Sequence, residues 1–312
     1  MSQIKIGLLG GTGLGDAIGA QASGQRHDLH TPFGKPSDSI LQTQWAGLDV
    51  FILSRHGPGH LLNPSRIPYR ANIFALKELG CTHVIASGAV GSLRQEFKPR
   101  DLVIVDQIID KTYGRKGTFF DEAAVHVEMA EPFCPVLRPM ILEAGRSLAA
   151  EAALTVHERG CYLCMEGPAF STRAESLMHR LWGADLIGMT VMPEAKLARE
   201  AEMSYALIAL VTDYDCWRQP ASPGSPASTA TAAAPVQADP AALLKEIIGN
   251  LEAASHNAMT LIQRSVELMA QRQAELANCP AHDALRLAIW SDKTRIPPEQ
   301  VKRLGPLWMK YF

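Results

Sequence analysis

Apolar residues along this chain recur with two different periods. Short, nearly continuous runs are rich in aliphatic and β-branched residues: "IKIGLLG" (4–10), "LDVFILS" (48–54), "THVIAS" (82–87), "DLVIVDQII" (101–109), "CYLCME" (161–166), "DLIGM" (185–189) and "YALIALV" (205–211). Such runs are the pattern of strands buried on both faces. Between several of them the spacing lengthens to three and four residues, which predicts helices over 65–80, 133–154 and 171–183. Gly80 and Gly183 stand as stops and Ser171 as a cap. Strand and helix in alternation predict an α/β fold, read here as one domain with a twisted, mostly parallel central sheet flanked by helices. In open sheets of this kind ligands gather beyond the carboxyl ends of the strands. The loops after the apolar runs are therefore where chemistry is expected.

The rhythm breaks once. Residues 218–240 are nearly all Ala, Ser, Thr, Pro and Gly, a composition that cannot build a core. The stretch reads either as a flexible surface insertion or as a mobile lid, since it directly follows two acids. A long amphipathic helix is expected over 241–276. These boundaries give a domain of residues 1–276 and an extension, 277–312, expected to pack on that domain or on a neighbouring subunit.

Composition narrows the class of partner. Of 312 residues, 47% are hydrophobic and 20% charged, ordinary values for a soluble chain with a sizeable core. Lys and Arg number 30 against 32 Asp and Glu, for a net charge of −2. With no basic run there is no field to attract nucleic acid or a membrane, so small molecules are the expected partners. The N-terminal "MSQIKIGLLGG" reads as neither a signal peptide nor a span, and a cytoplasmic address is the default. The cysteines, at 81, 134, 161, 164, 216 and 279, form no framework of disulfides. In "CYLC" the two thiols would face opposite sides of a strand, which argues against a metal or redox pair.

Several loops carry chemistry. "GLLGGTGLGD" places a glycine-rich turn after the first strand, where successive backbone N–H groups make an anion cradle beside the Thr12 hydroxyl. A dinucleotide fingerprint fails there, because its third glycine becomes Asp16 or Ile18, and a P-loop would need a lysine. "LSRHGPGH" ends the next strand with Arg55 and His56, and a guanidinium there suits phosphate through bidentate bonds. "SGAVGSL" offers more backbone donors around Gly88 and Ala89. Phe170 can stack on a flat ring, Thr190 can add a hydroxyl, and Met189 can cover an apolar face of a sugar. In "VTDYDCW", Asp213 and Asp215 end a buried run, and residues two apart on a strand share a face. A buried acid must find partners or stay protonated.

Taken together, "IGLLGGTGLGD", "SRHG", "IPYRANIFALKELGCTHVIASGAVGSL", "MAEPFCP", "EGPAFSTRAES", "WGADLIGMTVMPEAKLAREA" and "TDYDCW" strongly resemble the 5′-methylthioadenosine phosphorylases, in the purine nucleoside phosphorylase superfamily. The resemblance covers roughly the first 217 residues and resumes more weakly after the insertion. It implies phosphate-dependent cleavage of methylthioadenosine to adenine and 5-methylthioribose 1-phosphate, without metal or organic cofactor and with phosphate as co-substrate. By the same resemblance, Thr12, Arg55, His56, the Ala89 backbone and Thr190 would hold phosphate and Met189 would face the ribose. Phe170, Ser171, Asp213 and Asp215 would line the base. His126 would reach the methylthio end of a neighbouring subunit's site in a homotrimer, and the apolar lid contact would fall near Ala238. Gly88 departs from the family, which commonly has a phosphate-contacting threonine there; the loss of one hydroxyl is expected to raise the phosphate requirement.

Adenine presents N7 as an acceptor beside the N6 amino donor. An acid kept protonated by burial can give to N7 while its other oxygen takes from N6, and Asp213 is placed for this role as general acid with Asp215 supporting it. The rival reading is a phosphorylase of 6-oxopurine nucleosides or methylthioinosine. Those relatives typically carry Glu at the position of Ser171 and Asn at that of Asp213, so both positions favour adenine.

Overall fold

A computed structural model describes residues 4–11, 23–151, 154–218 and 240–312. Among these, eleven strands form one sheet. Its spine is four parallel strands: β1 (Lys5–Gly10) lies between β4 (Leu48–Ser54) and β5 (His83–Ser92), and β11 (Ser204–Asp213) follows β5 on its other edge. Strands β2 (Gln25–His27) and β3 (Ile40–Trp45) add an antiparallel edge next to β4. Beyond β5 lie β10 (Leu186–Gly188), β9 (Cys161–Met165) and β7 (Gln107–Lys111), parallel to one another, while β6 (Leu102–Ile104) runs antiparallel to β11 and parallel to β8 (Val156–His157). The sheet is thus mixed with a parallel majority, as the aliphatic runs predict.

One run divides where periodicity shows no break. "DLVIVDQII" is two strands, β6 and β7, in separate parts of the sheet. The Val105 amide still reaches Leu207 O, but at Asp106 the chain turns away, and the Asp106 carboxylate instead accepts from the amide of Gly160 at 2.9 Å. Long strand β5 has the opposite property, because one edge serves two neighbours. His83–Ala86 pair with β1, whereas Gly91 and Ser92 pair antiparallel with β10. Between the two pairings that edge is open to the loops after β1 and β4.

Helices cover the sheet. They are α1 (Tyr69–Glu78), α2 (Leu137–Glu151), α3 (Arg173–Leu181), α4 (Val191–Glu200), the long α5 (Pro240–Gln271) and short α6 (Gln273–Leu276), α7 (Pro298–Arg303) and α8 (Gly305–Trp308). Gly80 and Gly183 have φ of 86° and 88°, the left-handed geometry that makes glycine the natural stop after α1 and α3. The cap of α3 is Thr172 rather than Ser171. Its hydroxyl accepts from the Glu175 amide while Glu175 reaches back to the Thr172 amide, a reciprocal pair of bonds that Ser171 is one residue too early to make. The C-terminal residues complete the core: Leu285, Leu304, Leu307 and Trp308 are buried in the same apolar cluster as Phe74 and Phe120.

Candidate active site

Three strand ends meet at the open edge of β5. Gly11 packs so closely against Ser87, Gly88 and Arg55 that a Cβ there would fall 2.8 Å from Ser87 O and 2.9 Å from an Arg55 Nη atom. The Ser87 carbonyl accepts from Arg55 Nη1 at 2.7 Å. Arg55 is wholly buried, and so is Glu194 in the first turn of α4; the two form a side-on pair with Nε–Oε2 at 2.8 Å and Nη2–Oε1 at 2.9 Å. Tyr205 donates to the same carboxylate at 2.7 Å. Burial by itself would lower the Arg55 pKa, but the Glu194 carboxylate raises it above its ordinary value. Of the five guanidinium hydrogens, four have partners among the described residues, and the fifth, on Nη1, has none there and lies beside Gly11.

His56 is neutral at physiological pH. Burial, with the charge of Arg55 and the nearby His60 ring, lowers its pKa to about 4, against an opposing hydrogen bond to Leu62. Because a carbonyl only accepts, the 2.8 Å contact places the proton on Nδ1 toward Leu62 O and leaves Nε2 as an acceptor. Thr190 is buried at the N-terminus of α4, and its side chain makes no capping bond there. Its Oγ1 is the neighbour a Cβ at Gly88 would meet, at an ordinary 3.5 Å. The corner is therefore lined by backbone, one hydroxyl, a neutral imidazole and a guanidinium whose charge is already matched.

The acids sit further along β5. Asp213 is the last residue of β11, opposite Gly91, with a register shift just before it. Asp215 is off the strand, in left-handed backbone with φ of 49°. Simple strand alternation therefore does not bring the acids together. A turn does: the Asp215 amide donates to Asp213 Oδ1 at 2.7 Å, and Asp213 Oδ2 lies 2.7 Å from the Thr212 hydroxyl. Gly91 lies beneath both, since a Cβ there would approach Asp213 Oδ1 at 3.2 Å and Asp215 Cβ at 3.3 Å. Burial, reinforced by the Asp213 carboxylate, raises the Asp215 pKa, although the Ser176 hydroxyl donates to it.

Behind Met189 lies a residue that sequence reasoning does not find. Arg115 has a 2% exposed side chain, and its guanidinium holds the carbonyls of Glu166 (2.5 Å), Met189 (2.6 Å) and Met192 (2.5 Å), with Glu166 Oε1 at 3.3 Å. It thereby ties the loop after β9 to the loop after β10. The Glu166 carboxyl falls to about 2: burial opposes this, and hydrogen bonds from Ser65 and the Tyr113 and Gly114 amides, with Arg115, outweigh it. Ser171 is half-buried, its hydroxyl 3.8 Å from Met165 Sδ. Phe170, in contrast, is 85% exposed, and His126 is exposed on an extended segment that bonds to the C-terminal region through Ala288 O at 2.9 Å. Its ring lies 4.6 Å from that of Trp290. Thr12 and Ala238, with most of the 218–240 segment, lie outside the described residues.

An anion corner and an acid pair on one forked strand are the arrangement of a nucleoside phosphorylase. The family model of the phosphorylase superfamily matches residues 5–249. The S-methyl-5′-thioadenosine phosphorylase of Synechocystis is 43% identical, over 100% of this chain and 89% of that protein. The one from Danio rerio is 46% identical over 70% of this chain and 79% of its own. Among solved structures, a methylthioadenosine phosphorylase from an antarctic soil metagenomic library superposes with a TM-score of 0.83 at 41% identity, covering 98% of this chain and 99% of that one. A substituted adenosine/methylthioadenosine phosphorylase from Schistosoma mansoni, in complex with methylthioadenosine, gives 0.79 at 32%, covering 92% and 99%. This chain belongs to the S-methyl-5′-thioadenosine phosphorylase family.

Proposed function

We propose that the protein transfers the 5-methylthioribosyl group of S-methyl-5′-thioadenosine to inorganic phosphate, releasing adenine. The observation that carries this reading is the joining of the Gly11, Arg55 and Thr190 corner to the Asp213 and Asp215 pair along β5. Phosphate would lie in the corner with Thr12, Arg55, His56, Gly88, Ala89 and Thr190 around it. The α4 N-terminus, with a Thr190 hydroxyl that is not spent on capping it, favours an anion there. His56 Nε2 suits a protonated phosphate oxygen. A phosphate oxygen bonds to the anomeric carbon as its bond to N9 breaks, and the electron pair leaves on the purine.

That charge is neutralised by a proton at N7, which the acid pair supplies. Asp213 faces N7 and N6 in this reading, and Asp215, whose pKa burial raises, stands beside it with its amide donating to Asp213 Oδ1. Ser171 and Phe170 line the base, Met189 the ribose and Ala238 the lid. The reaction uses no metal or organic cofactor, takes place in the cytoplasm and serves purine and methionine salvage.

A homotrimer completes the site. What supports this is the set of apolar side chains left in solvent beside it: Phe170, Tyr113 (87% exposed), and Leu177, Leu181 and Trp182 on or next to α3. His126 would enter the neighbouring site. The deciding experiment incubates the protein with methylthioadenosine, with and without phosphate. Adenine forming only with phosphate is expected; release at an equal rate without it would indicate a hydrolase, and a fully active monomer in sedimentation would remove the shared site.

A further inference from the structure

At the opposite end of β11 from the acids, two cysteines from distant parts of the chain meet. Cys134 precedes α2, and Cys279 opens the C-terminal segment, 145 positions later. Their sulfur atoms are 2.8 Å apart, both are free thiols, and their exposures are 1% and 4%. Neither belongs to the site described above. The contact is set by backbone on both sides: the Cys134 amide donates to Tyr205 O at 2.9 Å, and the Cys279 amide donates to Leu276 O at 3.3 Å.

The two thiols are not equivalent. Cys134 lies just before the first turn of a fifteen-residue helix, and the Leu137 amide donates to its sulfur at 3.2 Å. A helix N-terminus favours a thiolate. The contact with Cys279, with hydrogen bonds from the Leu137 and Val136 amides and the Ser204 hydroxyl, outweighs burial and lowers the Cys134 pKa. Cys279, held against Cys134 and itself buried, is raised. One sulfur is thus a nucleophile and the other a thiol held against it. A cavity of about 280 Å³, lined by Lys77, Thr82, Glu202, His282 and Lys310 among others, lies alongside. His282, on its wall, shares a hydrogen bond with Ser204 at 3.1 Å, and the Ser204 hydroxyl in turn bonds to Cys134.

We propose that Cys134 and Cys279 form a modification site, oxidised reversibly by small hydroperoxides to a disulfide that ties the start of the C-terminal segment to the body of the domain. The Cys134 thiolate attacks the terminal oxygen of hydrogen peroxide; the O–O bond breaks, hydroxide leaves and takes up a proton as water, and Cys134 becomes a sulfenic acid. The Cys279 sulfur then attacks the Cys134 sulfur. The S–S bond forms, the second oxygen leaves as water with the Cys279 proton, and two thiols have given two electrons to one peroxide. Excess small thiol reverses the step by exchange.

The test titrates the full chain with hydrogen peroxide, blocks remaining thiols by alkylation and maps the peptides. The expected result is a linked Cys134–Cys279 peptide, removed by dithiothreitol and formed before the half-buried Cys161 and Cys216 react. Closing so long a loop should raise the thermal midpoint by about 5 °C. In Cys279→Ser, where no partner remains, Cys134 should stop at a sulfenic acid that dimedone traps. Oxidation of Cys161 or Cys216 while 134 and 279 stay alkylatable, or no dimedone adduct at Cys134 in the variant, would overturn the proposal.

Discussion

Arg55 and Glu194, 139 positions apart in sequence, form a doubly hydrogen-bonded ion pair with side-chain exposures of 0% and 1%. The pair fixes the end of β4 to α4, and so fixes the Arg55 corner relative to Thr190. Removing one partner leaves the other as an uncompensated buried charge, which costs about 3–5 kcal/mol. Arg55→Ala should therefore lower the thermal midpoint markedly as well as raise the phosphate KM. The double variant Arg55→Met with Glu194→Gln should recover much of the stability while the phosphate KM stays high. Unchanged melting of Arg55→Ala would show that the pair does not support the fold.

Gly88 leaves space in front of Thr190: among the described residues, a Cβ at this position would meet only that hydroxyl within 4 Å. Gly88→Thr should therefore fold with little change in melting. A new hydroxyl on the anion is worth up to ~1.5 kcal/mol, so the phosphate KM should fall by as much as about tenfold. The check is phosphate saturation of wild type and variant at fixed nucleoside; an equal or higher KM would mean that the side chain cannot reach the anion.

For Asp213→Asn the shape survives and the exchangeable proton is lost. Activity on methylthioadenosine should fall by ~10²–10⁴-fold, the scale of a missing general acid, with a smaller change in KM. An amide donates toward O6, so activity on methylthioinosine should rise in relative terms. Measuring kcat/KM for both nucleosides on both proteins tests this. An unchanged preference would show that Asp213 does not read the base.

Glu200 gives a stability prediction away from the site. Burial raises its carboxyl to about 7, even though the Phe119 amide and the Thr118 hydroxyl donate to it at 2.8 and 2.7 Å. A raised folded pKa means that the native state binds the extra proton between the unfolded value of 4.5 and about 7, so stability is lost as pH rises through that window. The loss is on the order of 3 kcal/mol. Glu200→Gln, which can still accept from Phe119 and donate to Thr118, should remove the slope. Parallel melting curves of the two proteins from pH 5 to 8 would count against it.

The spine of the sheet is legible in the sequence because strands buried on both faces write themselves as unbroken aliphatic runs. Edge strand β2, "QRH", and its neighbour β3, "ILQTQW", are not, because their exposed positions dilute the signal with polar residues. The segment "VMPEAKLARE" stands out in the sequence only through its family resemblance, yet it is the helix α4 that carries Glu194. Local residues of the site are readable from glycines, Arg55 and the acids standing after apolar runs. Their partners are not. Glu194 and Arg115 act across long sequence separations, and no local pattern announces which carboxylate will neutralise a given guanidinium, or which guanidinium will gather three carbonyls.

The fork in β5 has a geometric consequence for selectivity. The anion corner at Gly88 and the floor of the acid pair at Gly91 belong to the same extended strand, so their separation is set by strand rise, about 10 Å. That distance acts as a ruler for the ligand, measured in backbone units that no loop substitution can stretch. Phe170 and His126, both exposed, lie off that strand, and changes there leave the spacing as it is. In the proposed reading, the span from phosphate to base therefore stays that of one nucleoside.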